Sequence, residues 1–207
     1  MKQSRTTYII GSGGHSRVIA RAIEECGRDW CYISDGAEPV EQSIQEEDFF
    51  SLETEQIGGL ICGIGSIGSM HTRSRVLEKY SRFYQFFSSI IHPHSSIDSS
   101  SSLEKGTFVA RGAVIGCFSK IGRHCIINTG AIVDHDCSLG ASCHIAPGAV
   151  LSGGVVCHDG CHVGVGATVM QGVVLAPNTV IGAGVVVRKS IQEPGGVWVG
   201  APLRRIG

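Results

Sequence analysis

The stretch VDHDCSLGASCHIAPG, residues 133–148, holds two histidines, two aspartates and two cysteines within sixteen positions. Two chemistries compete for such a cluster. Imidazoles and thiolates are zinc ligands, whereas a histidine beside a carboxylate is a general base whose ring the acid orients and makes more basic. His135 has Asp134 before it and Asp136 after it, which favours the base. Further imidazoles follow at His144 and His162, 18 residues apart. Cys125, Cys143 and Cys161 are also spaced by 18, and this regularity marks them as buried thiols acting as small hydrophobes rather than as metal ligands.

The element that must carry these residues follows from the spacing. Every sixth residue from Ile91 to Val187 is Ile, Leu or Val in sixteen of seventeen places, with the apolar Cys157 as the exception. Four places after each comes a small or β-branched residue, such as Ala113, Ser119, Cys125, Ala131 and Cys137. Glycine recurs directly after the aliphatic position at Gly116, Gly122, Gly140, Gly164 and Gly182. A period of six fits neither a helix nor a meander and predicts a parallel β-helix of hexapeptides. On that scaffold His135 falls at a corner and projects to solvent, while His144 and His162 point outward from a flat face, one coil apart.

Ahead of the repeats, residues 7–26 (TYIIGSGGHSRVIARAIEEC) read as a strand, a glycine-rich turn and a helix with Ile19, Ala22, Ile23 and Cys26 as its buried stripe. The turn at residues 11–14 can turn backbone N–H groups and a helix N-terminus toward a phosphate. A second strand at residues 30–33 leads to Asp35, a third covers residues 60–64, and a helix runs from about Gly68 to Phe83. This is a βαβ beginning. The third glycine of the dinucleotide fingerprint is replaced by Ser16, and the short module favours a nucleotide-linked sugar over NAD. The expected division is 1–88 for a small α/β, half-Rossmann-like nucleotide-sugar-binding module and 89–207 for a left-handed parallel β-helix with a tail.

GSGGHS in the first module, NTGAIVDHD in the repeats and GGVWVGAPLRRI in the tail occur in an order that resembles the bacterial nucleotide-sugar acetyltransferases of the bacillosamine type, and their relatives described as sialic acid O-acetyltransferases. The likeness covers nearly the whole chain. It implies a left-handed coil of 18 residues, five to six coils over residues 91–190, and acetyl-CoA as co-substrate with no metal. By position it implies His135 as catalytic base, Asp136 as the acid that orients it, and Asn128 near the sugar. It places His144 near the thioester, the Gly153 N–H at the oxyanion, and Gly13, Gly14, His15 and Asp35 in the nucleotide-sugar pocket. Gly200, Ala201 and Pro202 would lie by the coenzyme, with Arg204 and Arg205 reaching its phosphates. A homotrimer with active sites between subunits follows by the same analogy.

The expected reaction is N-acetylation of a UDP-4-amino-4,6-dideoxy sugar, with O-acetylation of a sialic-acid-like sugar as the alternative. Two other classes remain. A zinc enzyme resembling γ-carbonic anhydrases would use His144 and His162 but leaves the first module without a role, and a non-catalytic scaffold leaves Asn128, His135 and Asp136 unexplained. A formal charge of −1, from 17 basic and 18 acidic residues, gives no overall attraction to nucleic acid or an anionic membrane. No apolar run reaches the roughly 20 residues a spanning helix needs. Without a secretion signal, the nine cysteines are expected to be reduced thiols in a cytoplasmic protein.

Overall fold

A computed structural model describes residues 6–36, 40–65 and 70–206. They form two units that divide between Pro93 and His94. In the first, four parallel strands, β1 (Thr7–Ile10), β2 (Trp30–Ser34), β3 (Ser43–Gln45) and β4 (Gly59–Cys62), lie in the order β3-β2-β1-β4. Helix α1 (Gly14–Glu25) crosses from β1 to β2, α2 (Glu46–Phe50) follows β3, and α3 (Met70–Lys79) follows β4. Ile10 pairs with both Ile33 and Cys62, so the C-terminal ends of β1, β2 and β4 are level. The chain steps one way from β1 to β2 and the other way to β4, and the ends at that switch point are where open α/β sheets take ligands.

Close packing at this edge explains two residues. Ser16 is buried and its hydroxyl donates to the Gly63 carbonyl at 3.1 Å, so serine serves where the fingerprint has glycine. A Cβ on Gly63 would come within 2.3 Å of the Ser16 hydroxyl and 2.9 Å of the Ile10 carbonyl, which only glycine avoids. Ile19, Ala22 and Ile23 are fully buried as the stripe predicts. Cys26 is exposed instead, because α1 ends at Glu25 and the chain turns away through Gly27 in the left-handed region. The short β3 and α2 carry no periodic signal and were not expected. The third helix is described from Met70, so its expected start at Gly68 lies outside the described residues.

The second unit is a left-handed parallel β-solenoid of about six turns. Two-residue strands recur every six residues and pair with the strand 18 residues on, making three faces. The first face runs through Val114–Ile115, Ile132–Val133, Val150–Leu151, Thr168–Val169 and Val186–Val187. The second carries Lys120–Ile121, Ser138–Leu139 and Val156–Cys157, and the third Ile126–Ile127, His144–Ile145 and His162–Val163. The second residue of each pair points inward, building a column of Val, Ile and Leu that is essentially inaccessible from Val109 to Val187. At the first coil the pattern fades: Leu103 and Ile97 are half-buried and Ile91 is 43% exposed.

The slot four places on has its own chemistry. Thr107, Ser119, Cys125, Cys137, Cys143 and Cys161 each donate a hydroxyl or thiol hydrogen to the carbonyl 15 residues later, at 2.7 to 3.3 Å. Serine, threonine and cysteine are interchangeable here because each is small and carries one such donor. The cysteines are therefore scaffold, and burial pushes the Cys137 and Cys157 thiols up.

Candidate active site

His135 lies at the corner between the first and second faces. Its Nδ1 meets Asp136 Oδ2 at 2.8 Å, and its backbone N–H donates to Asp134 Oδ1 at 2.8 Å. With the neutral ring's hydrogen on Nδ1, the Nε2 lone pair is left to accept a proton. The Asp136 hydrogen bond first, and the Asp134 charge after it, raise the His135 pKa above the ordinary imidazole value. Asp136 has φ +57°, where the next two coils use Gly154 and Gly172. The left-handed conformation belongs to the solenoid corner, since Phe118 one coil earlier has φ +60°.

The ring lies over Gly153, one coil up. A Cβ built there would stand 2.4 Å from His135 Nε2, so the glycine makes room for that nitrogen. Among the described residues the Gly153 N–H has no backbone hydrogen-bond partner.

Asn128 and His144 form a second group on the third face. Asn128 Oδ1 accepts the Thr129 N–H at 2.8 Å, which turns Nδ2 toward His144 Nε2 at 3.1 Å and leaves the imidazole hydrogen on Nδ1. The His144 ring meets the His162 ring edge to face at 4.8 Å. His144 takes the outward register expected of it but is only 3% exposed, and burial lowers the His162 pKa. Within one chain these residues do not converge on His135. The zinc reading needs a third ligand beside His144 and His162, and among the described residues no group of three or more His, Cys, Asp or Glu is placed to hold a metal.

In the first unit Gly13 and Gly14 form the turn at the start of α1, with the Gly13 carbonyl taking the Arg17 N–H at 3.1 Å. His15 stands in the first turn and Asp35 just past β2, on the same sheet edge. Burial, aided by the charge of Arg73, lowers the His15 pKa to about 4, so the ring is neutral at physiological pH. Arg73 escaped the sequence reading. It is 2% exposed and donates to the carbonyls of Cys62 and Ile64 at the end of β4. The signal was its place on the stripe Arg73, Val76, Leu77 and Tyr80, a charge where α3 should be apolar.

The tail residues Gly200, Ala201 and Pro202 line a cleft of about 1070 Å³ at the C-terminal end of the solenoid, with Arg188, Lys189 and Trp198. The Arg205 guanidinium is held by Glu193 at 2.6 Å.

Comparison with known proteins accounts for both units. Residues 118–153 match the bacterial transferase hexapeptide (six repeats) and residues 7–80 the PglD N-terminal domain. A perosamine N-acetyltransferase from Caulobacter crescentus, solved with CoA and GDP-perosamine, is 32% identical, with 98% of this chain and 97% of that one covered at a TM-score of 0.88. The chain belongs to the nucleotide-sugar acetyltransferases of the hexapeptide-repeat superfamily. This acetyltransferase is also 28% identical to the acetyltransferase domain of PglB from Neisseria gonorrhoeae FA1090 in complex with acetyl coenzyme A, with 99% and 100% of the two chains covered and a TM-score of 0.89. WeeI from Acinetobacter baumannii AYE, at 18% identity and a TM-score of 0.82 over 97% and 99%, shares the fold. No curated protein sequence matches.

A general base must be neutral to accept a proton, so His135 acting as one would set the acid limb of activity above the ordinary imidazole value. Asp136→Asn removes the largest cause of that rise. We expect the limb of kcat/KM to move to lower pH and the plateau to fall at least about tenfold as the base weakens. A pH–rate profile of both proteins checks the direction.

Proposed function

We propose that the protein transfers the acetyl group of acetyl-CoA to the amine of a nucleotide-linked 4-amino-4,6-dideoxy sugar, with His135 as general base. The observation that carries this reading is the His135–Asp136 pair, whose Nε2 stands against Gly153. The amine attacks the thioester carbonyl, Nε2 takes the amine proton, and the Gly153 N–H faces the developing oxyanion. When the tetrahedral intermediate collapses, the imidazolium returns the proton to the departing CoA thiolate. The glycine turn at residues 13 and 14, with His15 and Asp35, receives the nucleotide sugar at the carboxyl edge of the sheet. A UDP-linked acceptor is the class read from the sequence, and GDP-perosamine is bound in a relative. All nine cysteines are free thiols, in keeping with action in the cytoplasm.

The working unit in this reading is a homotrimer with its sites between chains. Val114, Ile132 and Val186 leave the first face apolar and exposed, whereas the second presents Ser102, Lys120 and Ser138. The first and third faces flank a corner of Gly112, Gly130, Gly148, Gly166 and Gly184, all with φ between 63° and 71°. The reading sets the apolar first face against a neighbouring chain in a three-fold ring, with His135 of one chain working beside His144 of the next.

The test is thiol release from acetyl-CoA with UDP- and GDP-linked 4-amino sugars and with CMP-linked and free sialic acids, the products being identified by mass. Turnover of an amino sugar with an amide product supports the reading. Reaction of sialic acids alone would replace it with O-acetylation, and silence across the panel would remove it.

A further inference from the structure

Side chains take over from the sheet at the carboxyl end of β4. The parallel ladder between β1 and β4 ends at Ile10 and Cys62, and Gly63 adds one more bond, its N–H donating to the Ile10 carbonyl at 3.0 Å. The carbonyls beyond are held from two helices. The Ser16 hydroxyl, on α1, donates to Gly63 O at 3.1 Å, while Arg73 Nη1, on α3, donates to Cys62 O at 3.4 Å and to Ile64 O. Three consecutive carbonyls are fixed in this way.

The segment so fixed touches the glycine turn at both ends. A Cβ on Gly11 would meet Ile64 Cδ1 at 2.7 Å, so the Ile64 side chain lies on the first glycine of the turn, which takes the left-handed φ of +88°. The Gly11 N–H in turn donates to Ile33 O at 2.8 Å, on the strand that leads to Asp35. At the other end a Cβ on Gly65 would touch His15 Cβ at 3.7 Å. A shift of Ile64 is therefore passed on to Gly11 by contact, because close-packed interiors transmit strain.

A guanidinium is a costly group to place here. Arg73 is 2% exposed, on the same stripe as Val76, Leu77 and Tyr80. An apolar side chain of similar volume is often neutral or stabilising in place of a buried charge. Packing does not account for arginine at this position, whereas bonding two carbonyls of the β4 end does. Its charge is also felt at the turn: after burial it is the second cause that lowers the His15 pKa and keeps that imidazole neutral.

We infer that Arg73 is a positioning residue of the nucleotide-sugar site: by holding the Cys62 and Ile64 carbonyls it sets the wall against which the glycine turn and His15 take the shape that receives the diphosphate. Ser16 shares the task through Gly63. This rests on the acceptor reading above.

The test compares the wild type with Arg73→Met, which keeps most of the volume and removes the donors, and with Arg73→Lys, which keeps a charged donor on a shorter reach. Calorimetry reads the affinity for UDP and GDP, and steady-state kinetics the constants for acetyl-CoA and for the amino sugar that the wild type acetylates. Hydrogen exchange is followed by mass spectrometry over residues 30–34 and 59–65. In Arg73→Met the affinity for the preferred nucleoside diphosphate and kcat/KM for the amino sugar should fall about tenfold or more, the scale on which misplaced positioning groups act. KM for acetyl-CoA should hold within about twofold, because the change is confined to the other substrate. Exchange should rise over residues 59–65 and stay low over residues 30–34. Arg73→Lys should fall between the other two, and it carries the same comparison should the methionine variant not fold.

Unchanged nucleotide affinity and unchanged exchange over residues 59–65 would overturn the assignment while leaving the acceptor reading intact. A loss shared equally by both substrates, with exchange rising over residues 30–34 as well, would reduce Arg73 to a support of the whole sheet and overturn it too. Wild-type protein that binds neither nucleotide and acetylates no amino sugar would defeat the acceptor reading and this inference with it.

Discussion

His135→Ala is expected to lower kcat for acetyl transfer by about 10² to 10⁴, the usual worth of a positioned general base. The imidazole is half exposed and reaches out from a corner, so its removal opens no cavity in the aliphatic column. Exposed substitutions of this kind stay within about 0.5 kcal/mol of the wild type in stability. Activity and stability should therefore separate: turnover falls by orders of magnitude while the thermal midpoint holds. KM for acetyl-CoA should change little, because the interaction a general base supplies belongs to the transition state. Single-turnover kinetics with a reactive amino sugar measures this. A drop below about threefold would remove His135 as the base.

The same variant reports on assembly. If each site combines His135 of one chain with Asn128 and His144 of another, mixing His135→Ala with His144→Ala subunits creates some sites with both residues intact. Activity well above that of either variant alone is the expected outcome of co-expression, and its absence argues for sites complete within one chain.

The solenoid was legible because its physics is one-dimensional. A residue buried in coil after coil must be aliphatic every six positions, and hydrogen bonding to the coils on either side holds that register without long-range surprises. The pairing of His135 was legible for a related reason: its partners Asp134 and Asp136 are its sequence neighbours. What periodicity cannot tell is the surroundings of an outward side chain. His144 has the outward register but is buried against Asn128 and His162, contacts that lie 16 and 18 residues away. Arg205 is paired with Glu193, twelve residues away, a contact that no periodicity announces.

Gly153→Ala tests the geometry of the base and not its presence. A methyl at this position would stand 2.4 Å from His135 Nε2 and 2.5 Å from Cε1, closer than carbon and nitrogen tolerate. The ring is the far end of an exposed side chain, so it yields by rotating away. The Gly153 backbone lies outside the left-handed region and accepts alanine without strain. The fold should therefore survive, the His135–Asp136 pair should still exist in part, and the residue 153 N–H should keep its place. What is lost is the position of Nε2. A displacement near 1 Å at a reacting atom costs about 10² in rate, so kcat should fall about a hundredfold with little change in thermal midpoint. Gly154→Ala, at the neighbouring left-handed position with open space around it, should do the opposite: strain the corner and lower stability by about 1 kcal/mol, with the smaller effect on rate. If the two alanines lower kcat equally, His135 does not work from above Gly153.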